Sequence, residues 1–310
     1  MNTFLHGFGH WVPDRVVTNS EMAERIGRTA EWIENASGIR ERRWAATETT
    51  AADLGVAAAE DCLRKTGAQR DSIGLLIVSS GSAAGGFPGP AAEIATRLGL
   101  GTTPALDVPI ASAGSVLGLA LAMRLAESIG DILLVATEKM SALIEAHPLD
   151  PNTAMLFGDG AGAALISSRP GRWRLLDAVL HSDGTYSADL SYGPAAGLYM
   201  NGLTVILQAA RKLPAVIEEV LARQKIAAAD VSVFLLHQAN LNLLARVAKG
   251  LGVAQERIFT NVERYGNTSS ASMLLAASEW ATAAEPPSGP IVFAAFGAGF
   301  HWGAVVAIAS

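Results

Sequence analysis

The sequence predicts an α/β protein assembled from two halves of the same plan. Three observations predict it. Strand-length apolar runs alternate with helical stretches along all 310 residues. The order of those elements in the first half recurs in the second. And 50% of the chain is hydrophobic against 17% charged, with a mean hydropathy of +0.30. That is enough apolar material for a large core, for two fused domains or for a broad oligomer interface.

In the first half, Ile73 to Ser79 reads as a buried strand, because every residue but Gly74 and Ser79 is a large aliphatic. A helix follows from Pro90 to Leu98 and stops at Gly99. Pro suits the first helical turn and Gly the position after the last. Ala105 to Ile110 is a second strand, and a long apolar helix opens after Ser112. Asp131 to Thr137 and Gly162 to Ser167 complete the half as strands. The cluster Ser167-Ser-Arg-Pro-Gly171 then reads as a boundary, dividing the chain into 1–169 and 170–310.

The second half repeats the order. Val231 to Leu236 is a strand, Leu241 to Gly250 a helix, and Arg257 to Asn261 a short strand. A helix opens near Ser269, and the strands Pro290 to Phe296 and Gly303 to Ala309 close the chain. Ser112 stands 13 residues after Gly99, and Tyr265 stands 13 after Gly252. Continuous apolar runs between helices predict parallel strands covered on both faces. Ligands of such sheets bind beyond the carboxyl ends of strands, which here are the segments 111–115, 237–240 and 266–270.

Several function classes are disfavoured. The apolar stretch Ala113 to Met123 ends at Arg124, short of the roughly 20 residues a spanning helix needs. The N-terminus has no basic segment before a long apolar one, so no signal peptide is expected. The single cysteine, Cys62, allows no intrachain disulfide and no cysteine metal cluster, which fits a cytosolic protein. A net charge of -6 disfavours nucleic acid as the main partner. No pair of the six histidines has the zinc-protease spacing, so no metal site is expected.

Three residues carry candidate chemistry. Ser112, in Asp107-Val-Pro-Ile-Ala-Ser-Ala-Gly-Ser115, lies at a turn between strand and helix. There the partly positive N–H groups of a helix start could stabilise an oxyanion. Only half of a nucleophile elbow is present, and capping the helix is the commoner role for such a serine. His237 follows an apolar strand directly, so it is either a general base or donor, or a satisfied core histidine. Asn267, in Tyr265-Gly-Asn-Thr-Ser-Ser270, could give its amide N–H to a developing negative charge, or could simply serve a turn. His181, in His-Ser-Asp-Gly, reads as part of a turn. The glycine clusters at 81–86, 158–162 and 297–299 do not form a dinucleotide fingerprint and read as tight turns.

Taken in order, the motifs resemble the ketoacyl synthase III family, the condensing enzymes that prime fatty-acid and polyketide synthesis. The resemblance runs through Glu31-Trp-Ile33, Ser37-Gly-Ile-Arg-Glu-Arg42, Phe87-Pro88 and Asp107-Val108. It continues with Ala111-Ser-Ala-Gly114, Phe157-Gly-Asp-Gly-Ala-Gly-Ala163, His181-Ser-Asp-Gly184 and His237-Gln-Ala-Asn240. Gly266-Asn-Thr-Ser269, Phe296-Gly-Ala-Gly-Phe300 and Trp302-Gly303 complete it.

The resemblance implies a five-layered αβαβα thiolase-like fold, usually a homodimer, and a Cys-His-Asn constellation that falls on Ser112, His237 and Asn267. It implies an oxyanion hole from the backbone N–H groups of Ser112 and Ala298. The acyl pocket is expected to involve Phe296, Met200 and Gly202, with Phe87 reaching towards the partner subunit. The entrance for the CoA or pantetheine arm is expected at Trp32 and Asn240. No cofactor is implied; acyl-CoA or acyl-carrier protein is the substrate. The reaction implied is acyl transfer to the enzyme, then decarboxylative condensation with a malonyl thioester.

The sequence departs from the family at several positions, Ile110, Ser115 and Leu117 beside Ser112 among them. Serine stands where the family has its reactive cysteine, and a hydroxyl needs a base that a thiol does not. A natural serine enzyme, an acyltransferase that does not decarboxylate, an inert Cys-to-Ser variant and a non-catalytic subunit of a heterodimer all remain open. Ala36 replaces an arginine that contacts CoA, and Asn242 replaces one linked with carrier-protein docking. Arg211, Lys212, Arg246 and Lys249 could supply other basic spots for an acidic carrier protein, or could be an ordinary solvated surface.

Overall fold

The computed structural model describes residues 2–83, 86–147, 150–283 and 289–310. Nine strands form one mixed sheet: β1 (Thr3–Trp11), β2 (Ile73–Ser79), β3 (Ala105–Val108), β4 (Asp131–Lys139), β5 (Asp159–Ser167), β6 (Trp173–Ser182), β7 (Val233–Leu236), β8 (Ile291–Gly297) and β9 (His301–Ala309). Their order is β7-β8-β9-β6-β1-β5-β4-β2-β3. The first half contributes β1-β5-β4-β2-β3 and the second the matching series β6-β9-β8-β7. The halves meet where Thr3–Leu5 of β1 pairs with Trp173–Leu175 of β6. The segment 168–172 links β5 to β6.

Helices build the other layers. α1 (Ala51–Thr66) and α2 (Pro90–Arg97) cover the outer face of the first half. α3 (Gly114–Ile129) and α6 (Ser272–Ala283) lie between the two halves. α4 (Gly202–Arg223) and α5 (Leu241–Leu251) cover the outer face of the second. Three apolar clusters fill the spaces between these five layers. The middle cluster joins Val116 and Leu119 of α3 with Met273 and Leu274 of α6, and both pack against strands of the two halves. α3 is apolar almost all round because both of its sides are covered.

Local signals set the element ends. Thr50 caps α1 through a capping box with Asp53: its Oγ1 accepts the Asp53 N–H (3.1 Å) and its own N–H reaches Asp53 Oδ2 (2.6 Å). Asp107, at the end of β3, accepts the Ala91 N–H (2.9 Å) at the start of α2, where Gly89 offers no side-chain cap.

Three expectations need correction. The apolar runs predicted parallel strands, yet only β2–β3, β2–β4 and β7–β8 are parallel. β5 and β9 run antiparallel to both neighbours. A continuous apolar run reports cover on both faces, which these strands also have; it does not report direction. The strand expected at 257–261 is a single bridge between Phe234 and Ile258. The Gln238 side chain takes over the backbone there, donating to the Phe259 carbonyl (3.0 Å) and accepting the Asn261 N–H (3.1 Å). His181, read as a turn, lies in β6 and pairs with Glu219 at 2.7 Å. The glycine cluster at 81–86 lies partly outside the described residues.

Candidate active site

Ser112 occupies a sharp turn between β3 and α3 with φ +64, a left-handed conformation that costs a residue with a Cβ about 1–3 kcal/mol. The surroundings hold it there. A Cβ on Gly297 would collide with the Ala111 carbonyl, so glycine lets the turn after β8 lie against the serine loop. A Cβ on Gly114 would collide with Ser79 Oγ. The helix N-cap is Ala113, without a side-chain cap bond, so Ser112 is not the capping serine.

His237 sits at the end of β7, its N–H bonded to the Ala294 carbonyl (2.9 Å) of β8. Its Nδ1 lies 2.6 Å from Ser272 Oγ, which also accepts the Gln238 N–H (3.0 Å). Burial pushes the imidazole down to about 4, with the Ser269 backbone opposing, so the ring is neutral at pH 7. Asn267 is held on both sides by backbone. Its N–H donates to the Leu156 carbonyl (2.8 Å), and its own carbonyl accepts the Gly158 N–H (3.1 Å). Its Oδ1 accepts the Ser269 N–H (2.8 Å), which fixes the amide so that Nδ2 is the end left to donate.

Ser112, His237 and Asn267 line one apolar cavity of about 100 Å³, with Ala111, Phe157, Val205 and Leu213 among its walls. No hydrogen bond joins Ser112 Oγ to His237 among the described residues. The Ser112 N–H donates to Ser269 Oγ (3.0 Å), so one of the two expected oxyanion donors is already engaged. The other, the Ala298 N–H, has no protein partner among the described residues. Ala298 lines a smaller adjoining cavity that shares Ala111, Met140, Leu190 and Leu198 with the first.

The remaining expected residues divide. Phe296, Met200 and Gly202 line the main cavity. So does Asn240, but its side chain is committed to structure: Oδ1 caps α5 at the Asn242 N–H (2.9 Å), and Nδ2 donates to the Ala36 carbonyl (3.1 Å). Phe87 is 98% exposed and lines neither the main cavity nor the adjoining one. Trp32 packs on the second-half core, one helical turn from Ala36.

Lys212 is corrected from docking cation to interior group. It is buried, pairs with Asp183 Oδ2 (2.9 Å) and lies 3.9 Å from the Trp302 ring centre. It thus anchors Asp183, whose backbone pairs with Phe300 in the turn carrying Ala298. The apolar stem of lysine is compatible with such burial once the ammonium is paired. Arg211, Arg246 and Lys249 are exposed.

Two buried carboxylates were not singled out in the sequence. Glu138 accepts Gly81 N–H (3.1 Å), Ser82 N–H (2.8 Å), Ser270 N–H (3.1 Å) and Ser270 Oγ–H (2.6 Å), tying β4 to the Asn267 loop. Asp159 accepts Ser141 N–H (2.8 Å), Ser141 Oγ–H (2.6 Å) and Ala45 N–H (2.8 Å), while burial raises its pKa. An acid inside an apolar run was the available signal. Cys62, the only thiol of the chain, is wholly buried in α1 and pushed up to about 12, so it cannot stand in for the nucleophile.

Comparison with known proteins decides the family. The model for 3-oxoacyl-[acyl-carrier-protein] synthase III matches residues 106–184, and that for its C-terminal part matches 221–308. The β-ketoacyl-[acyl-carrier-protein] synthase III of Oleidesulfovibrio alaskensis is 34% identical over 325 residues, covering 98% of each chain. The chain belongs to the β-ketoacyl-[acyl-carrier-protein] synthase III family. The synthase III of Salmonella paratyphi A is 33% identical, covering 99% of each chain. Among solved structures, the synthase III of Aquifex aeolicus superposes with a TM-score of 0.94 at 28% identity, covering 99% of each chain. The priming β-ketosynthase of the R1128 polyketide pathway gives 0.89 at 33% identity, covering 99% of this chain and 96% of that one. The fold is thus thiolase-like, and the family is one of condensing acyltransferases. Among the described residues no helix is long and apolar enough to cross a membrane, and no group of three or more His, Cys, Asp or Glu side chains could hold a metal ion.

Proposed function

We propose that this synthase III relative transfers an acyl group from a CoA or carrier-protein thioester to Ser112 and then condenses it with a malonyl thioester. The observation that carries the reading is the convergence of Ser112, His237 and Asn267, from both halves of the chain, on one apolar cavity. In this reading residues 1–169 supply the nucleophile and 170–310 the imidazole and amide.

In the first half-reaction Ser112 Oγ attacks the thioester carbonyl and its proton passes to neutral His237. The tetrahedral intermediate collapses, and the departing thiolate takes that proton. This step requires Ser112 Oγ and the imidazole, which line the same cavity, to come within hydrogen-bond reach. The Ala298 N–H faces the developing oxyanion, joined by the Ser112 N–H once Ser269 Oγ releases it. In the second half-reaction a malonyl thioester loses carbon dioxide. Its enolate oxygen is held by the His237 and Asn267 N–H groups, and its carbon attacks the Ser112 ester. The tetrahedral intermediate expels the serine oxygen, which takes a proton from solvent, and a β-ketoacyl thioester forms. Ser272 Oγ can serve either tautomer: accepting Nδ1–H, it leaves Nε2 free to take the Ser112 proton, and giving its own hydrogen to Nδ1, it lets Nε2–H donate to the enolate. Both groups act on charge that exists only along the reaction, which is how binding becomes rate.

Phe87, fully exposed here, is proposed to close the acyl pocket of a second subunit in a homodimer. No bound cofactor takes part in these steps. The test is intact-mass analysis after incubation with a hexanoyl thioester, then assay of carbon dioxide released from malonyl-carrier protein. An acyl adduct present in the wild type and absent in Ser112→Ala supports the serine nucleophile. Condensed product without any adduct overturns it.

A further inference from the structure

The loop that carries Asn267 holds three buried serines, Ser269, Ser270 and Ser272. Two of their hydroxyls are fully engaged. Ser270 Oγ–H donates to Glu138 Oε1 (2.6 Å), and Ser272 Oγ, accepting from the Gln238 N–H, meets His237 Nδ1 at 2.6 Å.

Ser269 differs. Its N–H donates to Asn267 Oδ1 (2.8 Å), its carbonyl accepts the Ser272 N–H, and its Oγ accepts the Ser112 N–H (3.0 Å). Its hydroxyl hydrogen has no acceptor among the described residues. Ser269 is 1% exposed, and it lines the main cavity with Ser112, His237 and Asn267. A buried hydroxyl whose hydrogen finds no acceptor is costly and uncommon in a native fold. A ligand entering the cavity would bring the acceptor that the protein lacks.

The backbone supports the same assignment. Ser269 has φ +46 and Ser112 φ +64, both in the left-handed region that residues with a Cβ seldom adopt. Such residues gather at active sites, where the surrounding fold over-determines them. The two serines are joined directly, through the Ser112 N–H and Ser269 Oγ. Among the described residues the one other non-glycine residue with positive φ is Lys225, which lies just beyond the end of α4.

The chemistry follows from that bond. A hydroxyl that accepts a hydrogen bond is polarised into a stronger donor. An acyl oxygen that comes within reach of the Ser112 N–H also comes beside Ser269 Oγ, which bonds the same N–H. A hydroxyl gains little from a neutral carbonyl oxygen and most from an anion, so its contribution grows as the oxygen takes on charge.

We propose that the Ser269 hydroxyl is a further catalytic donor, giving a hydrogen bond to the acyl oxygen as the tetrahedral intermediate forms on Ser112. The hydrogen stays on Ser269 throughout, so no proton is transferred by it. It adds to the Ala298 and Ser112 N–H groups on the acyl side, while His237 and Asn267 serve the enolate. This rests on the function proposed above and adds a residue to the same site.

The test is the rate of Ser112 ester formation from hexanoyl-pantetheine, followed by intact mass in the wild type and in Ser269→Gly. Glycine removes the hydroxyl and adopts the left-handed backbone without strain, so the N–H that holds Asn267 is kept. Loss of one oxyanion donor is expected to slow ester formation about 100-fold at saturating thioester. Slowing by less than about fivefold overturns the proposal, and so does acceleration, which would make the hydroxyl a mere occupant of the hole. The same change in a Ser112→Cys background separates the hole from the nucleophile. Alkylation of that thiol by iodoacetamide creates no oxyanion and is expected to keep its rate, while acylation by hexanoyl-pantetheine slows. Equal slowing of both reactions overturns the proposal. If wild-type Ser112 takes no acyl group, the serine nucleophile fails as a reading, and the cysteine pair still decides the role of Ser269.

Discussion

Ser269 Oγ accepts the backbone N–H of Ser112 at 3.0 Å, while the N–H of the same Ser269 holds Asn267 Oδ1 at 2.8 Å. One residue thus links the Ser112 turn of the first half to the Asn267 amide of the second. Ser269→Ala removes the first bond and leaves a buried N–H unsatisfied, which costs about 1–3 kcal/mol. Urea unfolding of the variant measures this loss; an unchanged midpoint would show that the bond contributes nothing to joining the halves.

In the proposed reaction Asn267 donates only to charge that develops after decarboxylation begins. Asn267→Ala is expected to slow carbon dioxide release from a malonyl thioester about 100- to 1,000-fold, the effect of losing one oxyanion donor. Formation of the Ser112 ester, followed by mass, should be far less affected. Equal loss of both steps would assign Asn267 to general architecture.

His237 is held near pKa 4 by burial, against an ordinary value of 6.5. Between those values the unfolded chain binds a proton that the folded one refuses. The stability linked to this group is therefore complete above pH 6.5 and is lost as the pH falls towards 4. The shift corresponds to roughly 3 kcal/mol at about 1.4 kcal/mol per unit. Chemical unfolding at pH 7.5, 6.0 and 5.0 is expected to give a shallower pH slope for His237→Gln than for the wild type.

Cys62 is expected not to react with a thiol reagent in the native protein, because the thiol is buried and raised to about 12. Ser112→Cys should add one rapidly reacting thiol per chain. Labelling of the wild-type protein under native conditions would place Cys62 elsewhere than inside α1.

Lys212 and the exposed pair Arg246 and Lys249 should separate cleanly. Lys212→Met breaks the Asp183 pair and is expected to lower the thermal midpoint without changing the salt dependence of carrier-protein use. Arg246→Glu with Lys249→Glu should leave the midpoint in place and raise KM for an acidic carrier protein, most at low salt.

The sequence made the element order, and the placing of Ser112, His237 and Asn267 at the ends of strands and turns, legible for physical reasons. Strands buried on both faces and helices bounded by Gly, Pro and Thr leave strong local patterns, as at Ile73–Ser79 and Ala51–Thr66. Strand direction at β5 and β9 was not legible, because apolarity reports cover alone. The missing strand at 257–261 depends on the Gln238 side chain, some twenty residues away in sequence, which no local pattern announces. Lys212 looked like a surface cation because its partner Asp183 and its platform Trp302 are distant in sequence. Glu138 escaped notice because its four donors come from two other loops.

The helices α3 and α6 have a consequence for how such a protein can be divided. Each presents greasy surface in two opposite directions, one towards each set of strands. A fragment ending near 169 would leave α3 bare on one flank, and a fragment beginning near 170 would do the same to α6. Neither piece is therefore a module that could be moved by itself without a new cover for that flank.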